Sequence, residues 1–364
     1  MKMLIGFLLC IPMFVLPVYA EAVEMATELM GIDEIYGYLP EDAEKISGRL
    51  DKNGNYDSGG ALKRLYESTL EKLKDELQGN IDSFLRIIMI CLLCSVSISF
   101  CQEKKIGEYI NAAGICAIAA SFLGSMDGMI NETVEALTQI NSYSKVAMPA
   151  IFTAAAAGGA VVSASARYAA VSVGLEIMIN TARAVIVPLI YGYLALALCK
   201  GLFDEPIIKS VQRFIKWLMG ISMTVLTLTF SAYISLTGAV SGSADALAVK
   251  TARTVISNVL PVVGGMISDA ASTVLTAANM IKTSAGAMSL VAVCAICAGP
   301  FVRLSVKMLL FKLSSAACDI VPGIRLSPFI NDIGTALSFL LGLLGSVSIM
   351  LFVSIMSVIR AVTA

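Results

Sequence analysis

From residue 83 to the C-terminus, long apolar runs alternate with short charged stretches, and this pattern predicts a bundle of membrane helices. Runs at 83–100, 109–126, 146–163, 168–182, 185–199, 217–240, 287–310 and 333–359 give about eight spans, several near the lower length limit. Ahead of them, Leu62, Leu65, Tyr66, Leu70, Leu73 and Leu77 recur at helical spacing with charges between them. That spacing predicts an amphipathic helix leading to the membrane. Its stripe could fold against the preceding segment, lie on lipid, or meet a partner helix.

The chain starts with Lys2, an apolar core from Met3 to Leu16, and the small-residue ending "VYA" at Val18–Ala20. These are the parts of a signal peptide over residues 1–20; the apolar core is short for an uncleaved anchor. Glu21 to Asn80 carries fourteen acidic and seven basic residues, a net of −7. An exported acidic helical segment at 21–80 and a multi-span domain at 81–364 are expected. The positive-inside rule then puts Lys104, Lys105, Arg167, Lys200, Lys209, Arg213 and Lys216 in the cytoplasm, together with Arg303, Lys307 and Lys312. The polar stretch 127–145 reads as an outer loop. Residues 206–218 form a basic amphipathic helix, either lying at the lipid interface or docking a cytoplasmic partner.

Composition narrows the class further. Hydrophobic residues make up 57% and charged residues 15%, where soluble domains carry about 25% charged. Mean hydropathy is +0.82. The fold class is therefore all-α, a polytopic helical membrane protein. The acidic segment excludes a nucleic-acid arm. With no histidine, a Ser-His-Asp triad and an HExxH zinc site are excluded, and no phosphate-binding GxxxxGK[ST] loop occurs. A Ser-Lys dyad stays formally open, but no spacing marks one out. Nine cysteines include two CxxC pairs, Cys91/Cys94 and Cys294/Cys297. Both sit in apolar runs and read as small buried hydrophobes. No enzyme activity, cofactor or metal site is expected.

Two features interrupt the plain span pattern. In "SADALAVKTARTVISNVLPVVGGMISDAASTV" (residues 243–274), charges bracket an interval, 254–268, shorter than the ~20 residues a span prefers. Pro261 removes a backbone donor, and Gly264 with Gly265 permits a sharp turn. The segment reads either as a re-entrant pair of half-helices facing protein or as two surface helices joined at "PVVGG". Glu176 and Arg183 form the second feature. They are membrane-buried charges seven residues apart, on one face if their helix continues. A further Pro/Gly-broken stretch, "VPGIRLSPF", lies between Asp319 and Asp332. Separately, 153–166 is nearly all Ala, Gly, Ser and Val, suited to close packing within or between subunits.

Asp245, Lys250, Thr251, Ala252, Asn258, Pro261, Val262, Val263, Gly264, Met266, Asp269 and Ala270 carry a resemblance to the stage III sporulation protein AE family. The resemblance implies a mother-cell membrane protein facing the engulfed forespore. It implies membership in an apparatus with other proteins of the stage III sporulation A operon, connected to a forespore channel protein. That apparatus acts as a secretion-like conduit for late forespore gene expression, and this chain would be its non-enzymatic polytopic core. From the residues alone, a secondary transporter or permease for a small solute is the rival. Broken helices and intramembrane charges serve both.

Overall fold

A computed structural model describes residues 32–51, 55–101, 103–157, 161–203, 205–230, 232 and 264–360; the expected signal peptide lies outside them. All regular elements among the described residues are helical. Two short helices, α1 (Ile32–Gly37) and α2 (Glu41–Ser47), come first. The long ones are α3 (Ser58–Phe100), α4 (Lys104–Ala157), α5 (Val161–Thr181), α6 (Val187–Phe203), α7 (206–230), α8 (Gly264–Ile320) and α9 (Ser327–Arg360). A π-helical turn, Ala182–Ile186, joins α5 to α6.

Contacts between side chains fix the direction of each helix. The pairs Glu76–Arg303, Cys91–Cys318 and Ser95–Pro322 all join α3 to α8 or its end, and all are separated by 227 residues. A constant offset means that α3 and α8 run parallel in one register. In α4 the order reverses against α8: Phe122 meets Phe311, Glu132 meets Arg303, and Tyr143 donates to Ser289. It also reverses against α5 and α6, through Lys145–Glu176 and Asp127–Tyr191. The helix α9 returns antiparallel to α8, with Lys312 at Asn331 and Cys297 at Ser348. The result is an up-and-down bundle. The chain reversals after α3 and after α6 and the turn at 321–326 share one end.

Among the described residues four helices are long and apolar enough to cross a membrane, or five with the bent pair Lys105–Phe122 and Gly124–Ala156 taken as one span. Against the about eight spans expected, several apolar runs fuse within the described residues, and the run at 217–240 extends beyond them. The runs at 168–182 and 185–199 join through the π-turn. The runs at 109–126 and 146–163 both enter α4, because the polar stretch between them is itself helical. Ile130, Thr133, Leu137, Ile140, Ser144 and Ala147 recur there at helical spacing and are buried. The outer loop expected at 127–145 is thus a helix. The axis of α4 bends by 41° at residue 123.

The central element is α8. Of its most apolar window 67% is buried, against 22% for α3, which lies at the edge. Turns let the chain reverse closely at the shared end. Gly323 adopts φ +84°, which a side chain disfavours. A Cβ on Gly114 would lie 2.7 Å from both Cys94 Sγ and Leu326, so glycine lets α4 approach α3 and the last turn. The cysteine expectation needs correction in one respect: Cys91 and Cys318 form a disulfide between the parallel helices, while Cys94 and Cys297 are buried thiols. A parallel register brings two helices of distant sequence into a contact that spacing within one run cannot reveal.

The acidic segment folds onto the far end. In α1 and α2, Ile35, Ala43 and Ile46 are buried against the bundle. Asp57 caps α3 by accepting from the Gly60 amide at 2.9 Å. Arg64 on α3 donates to the Ile46 carbonyl, Tyr56 donates to the Ser47 carbonyl at 2.8 Å, and the Leu50 amide donates to Tyr36. Burial pushes the Tyr56 phenol up to about 12, with Arg64 opposing.

Two outcomes follow. The folded pKa of Tyr56 exceeds its unfolded value near 10, so its contribution to stability is complete below pH 10 and is lost as the pH rises to about 12. Tyrosinate absorbance of Tyr56→Phe against the parent checks this: the variant lacks one late-titrating phenol. Second, the turn end concentrates Lys105, Lys200, Lys209, Arg213 and Lys216, and should face the cytoplasm. An impermeant maleimide added to intact cells is then expected to modify Glu41→Cys and to leave Lys209→Cys unmodified until the membrane is permeabilised.

Candidate functional site

Asp332 enters the membrane domain at the start of its most apolar helix. A carboxylate in that setting costs several kcal/mol unless it is paired and hydrogen-bonded. Three helices supply the partners. Tyr193 and Lys200 stand two turns apart on one face of α6, and Gln212 projects from α7. Tyr193 Oη donates to Asp332 Oδ1 at 2.9 Å, Gln212 Nε2 donates to Oδ2 at 3.0 Å, and Lys200 Nζ forms an ion pair with Oδ2. Asp332 is 7% exposed and Gln212 5%. Both carboxylate oxygens are therefore satisfied inside protein, and the network pins α6, α7 and α9 together.

This network opens into a cavity of about 370 Å³ at the turn end. Lys209, Arg213 and Lys216 line it along one flank of α7, with Lys200, Tyr193, Gln212, Pro328 and Asp332 completing the wall. Four cations and one acid leave the lining net positive. On its opposite flank α7 exposes Ile207, Val211, Phe214 and Trp217, and the last two rings stack at 5.9 Å. So 206–218 does not lie flat at the interface, as one expectation had it. It is the first part of a helix that stands in the bundle, because Gln212 is drawn inward to Asp332.

A second charged cluster sits further along the bundle. Arg303 on α8 bridges Glu76 of α3 at 2.7 Å and Glu132 of α4 at 2.8 Å. Arg303 was expected at the cytoplasmic end. That placement is corrected: its partners belong to the acidic helix and to the 127–145 stretch, so it lies toward the far end.

The sequence-derived site residues fall out unevenly. Asp245, Lys250, Asn258 and Pro261 lie outside the described residues. Gly264 and Gly265 open α8 and Asp269 follows in its second turn, with the helix continuing unbroken to Ile320. Glu176 and Arg183 do not pair with one another. Glu176 is half-exposed, 3.3 Å from Lys145, and Arg183 donates to Thr138. The π-turn beginning at Ala182 separates them, and α4 offers each a nearer partner. "VPGIRLSPF" is the α8–α9 turn, with Asp319 exposed beside it. Sequence reading noted Asp332 only as a flank of that stretch. Its signal was a lone carboxylate beginning a long uncharged run, but its partners are 120 to 139 residues away. Among the described residues no group of three His, Cys, Asp or Glu could hold a metal.

Comparison with known proteins adds a family. The family model for stage III sporulation protein AE matches residues 50–362. A Bacillus subtilis (strain 168) protein, "Stage III sporulation protein AE", is 20% identical over 331 residues, which cover 90% of this chain and 82% of that one. No solved structure matches.

Removing one partner of a buried ion pair costs about 3–5 kcal/mol, whereas replacing both by apolar groups costs far less. Asp332→Ala and Lys200→Met should each lower the thermal unfolding midpoint in detergent. The double variant Lys200→Met/Asp332→Leu should recover most of the loss.

Proposed function

Because the chain belongs to the stage III sporulation protein AE family, we propose that it is a non-enzymatic membrane core subunit of the mother-cell channel complex. In this reading it resides in the membrane around the forespore, associates with other proteins of the stage III sporulation A operon, and supports late forespore gene expression through a conduit completed by the forespore channel protein. The observation that carries it is the uncovered face of α3. Leu62, Tyr66, Leu70 and Leu77 are 56%, 67%, 52% and 44% exposed, on a helix that bears Lys63, Glu67, Glu71, Lys74 and Asp75 between them. Lipid would welcome the apolar positions but not the charges at that density. A partner helix in the intermembrane space satisfies both. Continuation of the same stripe through Ile81, Leu85 and Met89 carries the surface down to the membrane.

Leu70→Lys/Leu77→Lys tests the reading. Both positions are exposed, so the variant should reach the membrane at parental levels. Co-purification of the other operon proteins from sporulating cells should fall by about tenfold or more, and spore yield with it. Unchanged co-purification and sporulation would remove the support. Purified protein that transports a solute in liposomes without companions would favour the permease reading.

A further inference from the structure

We infer that the face formed by α4 and α5 is an interface with a second copy of this chain. The face mixes two kinds of residue that no single solvent suits. Val173 and Ile177, one turn apart on α5, are 59% and 52% exposed, and Tyr168 is exposed beside them. Among them stands the Lys145–Glu176 ion pair, its side chains 62% and 50% exposed. Hydrocarbon disfavours charges at such exposure, and water disfavours the apolar groups. Protein satisfies both, at whatever depth the face sits. It lies on different helices from the α3 stripe.

The shape and charge of the face fit a copy of itself. Val173 and Ile177 line two cavities at once, one of about 420 Å³ between α5 and α4 and one of about 350 Å³ between α5 and α7. They thus form a ridge with a groove on either side. Two copies inserted in the same direction are related by a two-fold axis along the bundle, so residues of equal height meet. Each ridge then enters the α4-side groove of the other copy, in the way ridges pack into grooves between helices. Lys145 and Glu176 both line that groove and stand at one height, 3.3 Å apart. The axis gathers the two pairs into four alternating charges, each lysine between two carboxylates. A face that carries both signs at one height is complementary to itself, whereas a partner of other sequence must supply a matching pair.

The full chain in mild detergent is sized by native mass spectrometry, and a dimer is expected. Lys145→Glu and Glu176→Lys each gather like charges around the axis and should weaken dimerisation by about tenfold or more. Co-expressed with different tags, the two variants should pair with each other, because one chain brings two carboxylates and the other two ammonium groups. Rescue in trans is expected only of a contact between copies, since the pair within each variant chain is lost. Val173→Gln/Ile177→Gln removes the apolar ridge and should weaken the dimer without touching its charges. Leu70→Lys/Leu77→Lys should leave the dimer unchanged, which separates this face from the α3 stripe. All these positions are exposed, so parental helicity by circular dichroism is expected. A monomeric parent would overturn the inference. So would failure of the two charge variants to pair, or loss of the dimer in the α3 variant.

Discussion

A backbone amide that enters hydrocarbon must find its hydrogen-bond partner within the protein, and this constraint shapes the molecule. It favours helices that continue over helices that stop, since each end exposes unsatisfied groups. Polar stretches that would form loops in water are therefore absorbed into α3 and α4. Even the π-turn at Ala182–Ile186 keeps the chain helical between α5 and α6. Association between these rods then falls to close approach and to the few polar contacts available. Gly114, Tyr143 with Ser289, and the carboxylate of Asp332 illustrate the two means.

Charge placement follows from the same medium. A carboxylate or guanidinium at bundle depth persists where neighbours complete its hydrogen bonds. Asp332 meets that condition with three donors and Arg303 with two carboxylates. The two clusters lie at different depths and join different helices. Asp332 ties α6, α7 and α9, whereas Arg303 ties α3, α4 and α8. Between them every long helix except α5 is held by a buried or half-buried ion pair or its hydrogen bonds.

The helical class and its membrane character were legible because hydropathy and period are local properties. The buried face of 129–147 was legible in principle too, through its helical spacing, but its polar residues drew the reading toward a loop. Which charge pairs with which was not legible. Glu176 shares a face with Arg183 in the sequence pattern, yet its partner is Lys145 on α4. Asp332 meets Lys200 across 132 residues, and Glu76 meets Arg303 across 227. Such pairings depend on the order and offset of helices, which no single run encodes. The family motif around Pro261 was read from sequence alone, while the geometry of the described site lies elsewhere in the chain.

One rod links the acidic end of the molecule to the turn end. At 1.5 Å per residue, the 43 residues of α3 extend for about 64 Å, from the acidic cap to the last turn. Along this length it is clamped to α8 at Glu76 and Cys91 and to the turn after α8 at Ser95, all in one register. A straight helix fastened at several heights cannot yield locally. Whatever grips its outer end moves the inner end by the same displacement, and α8, the hub of the bundle, travels with it. The acidic cap and the turn end are in this sense connected by a single lever.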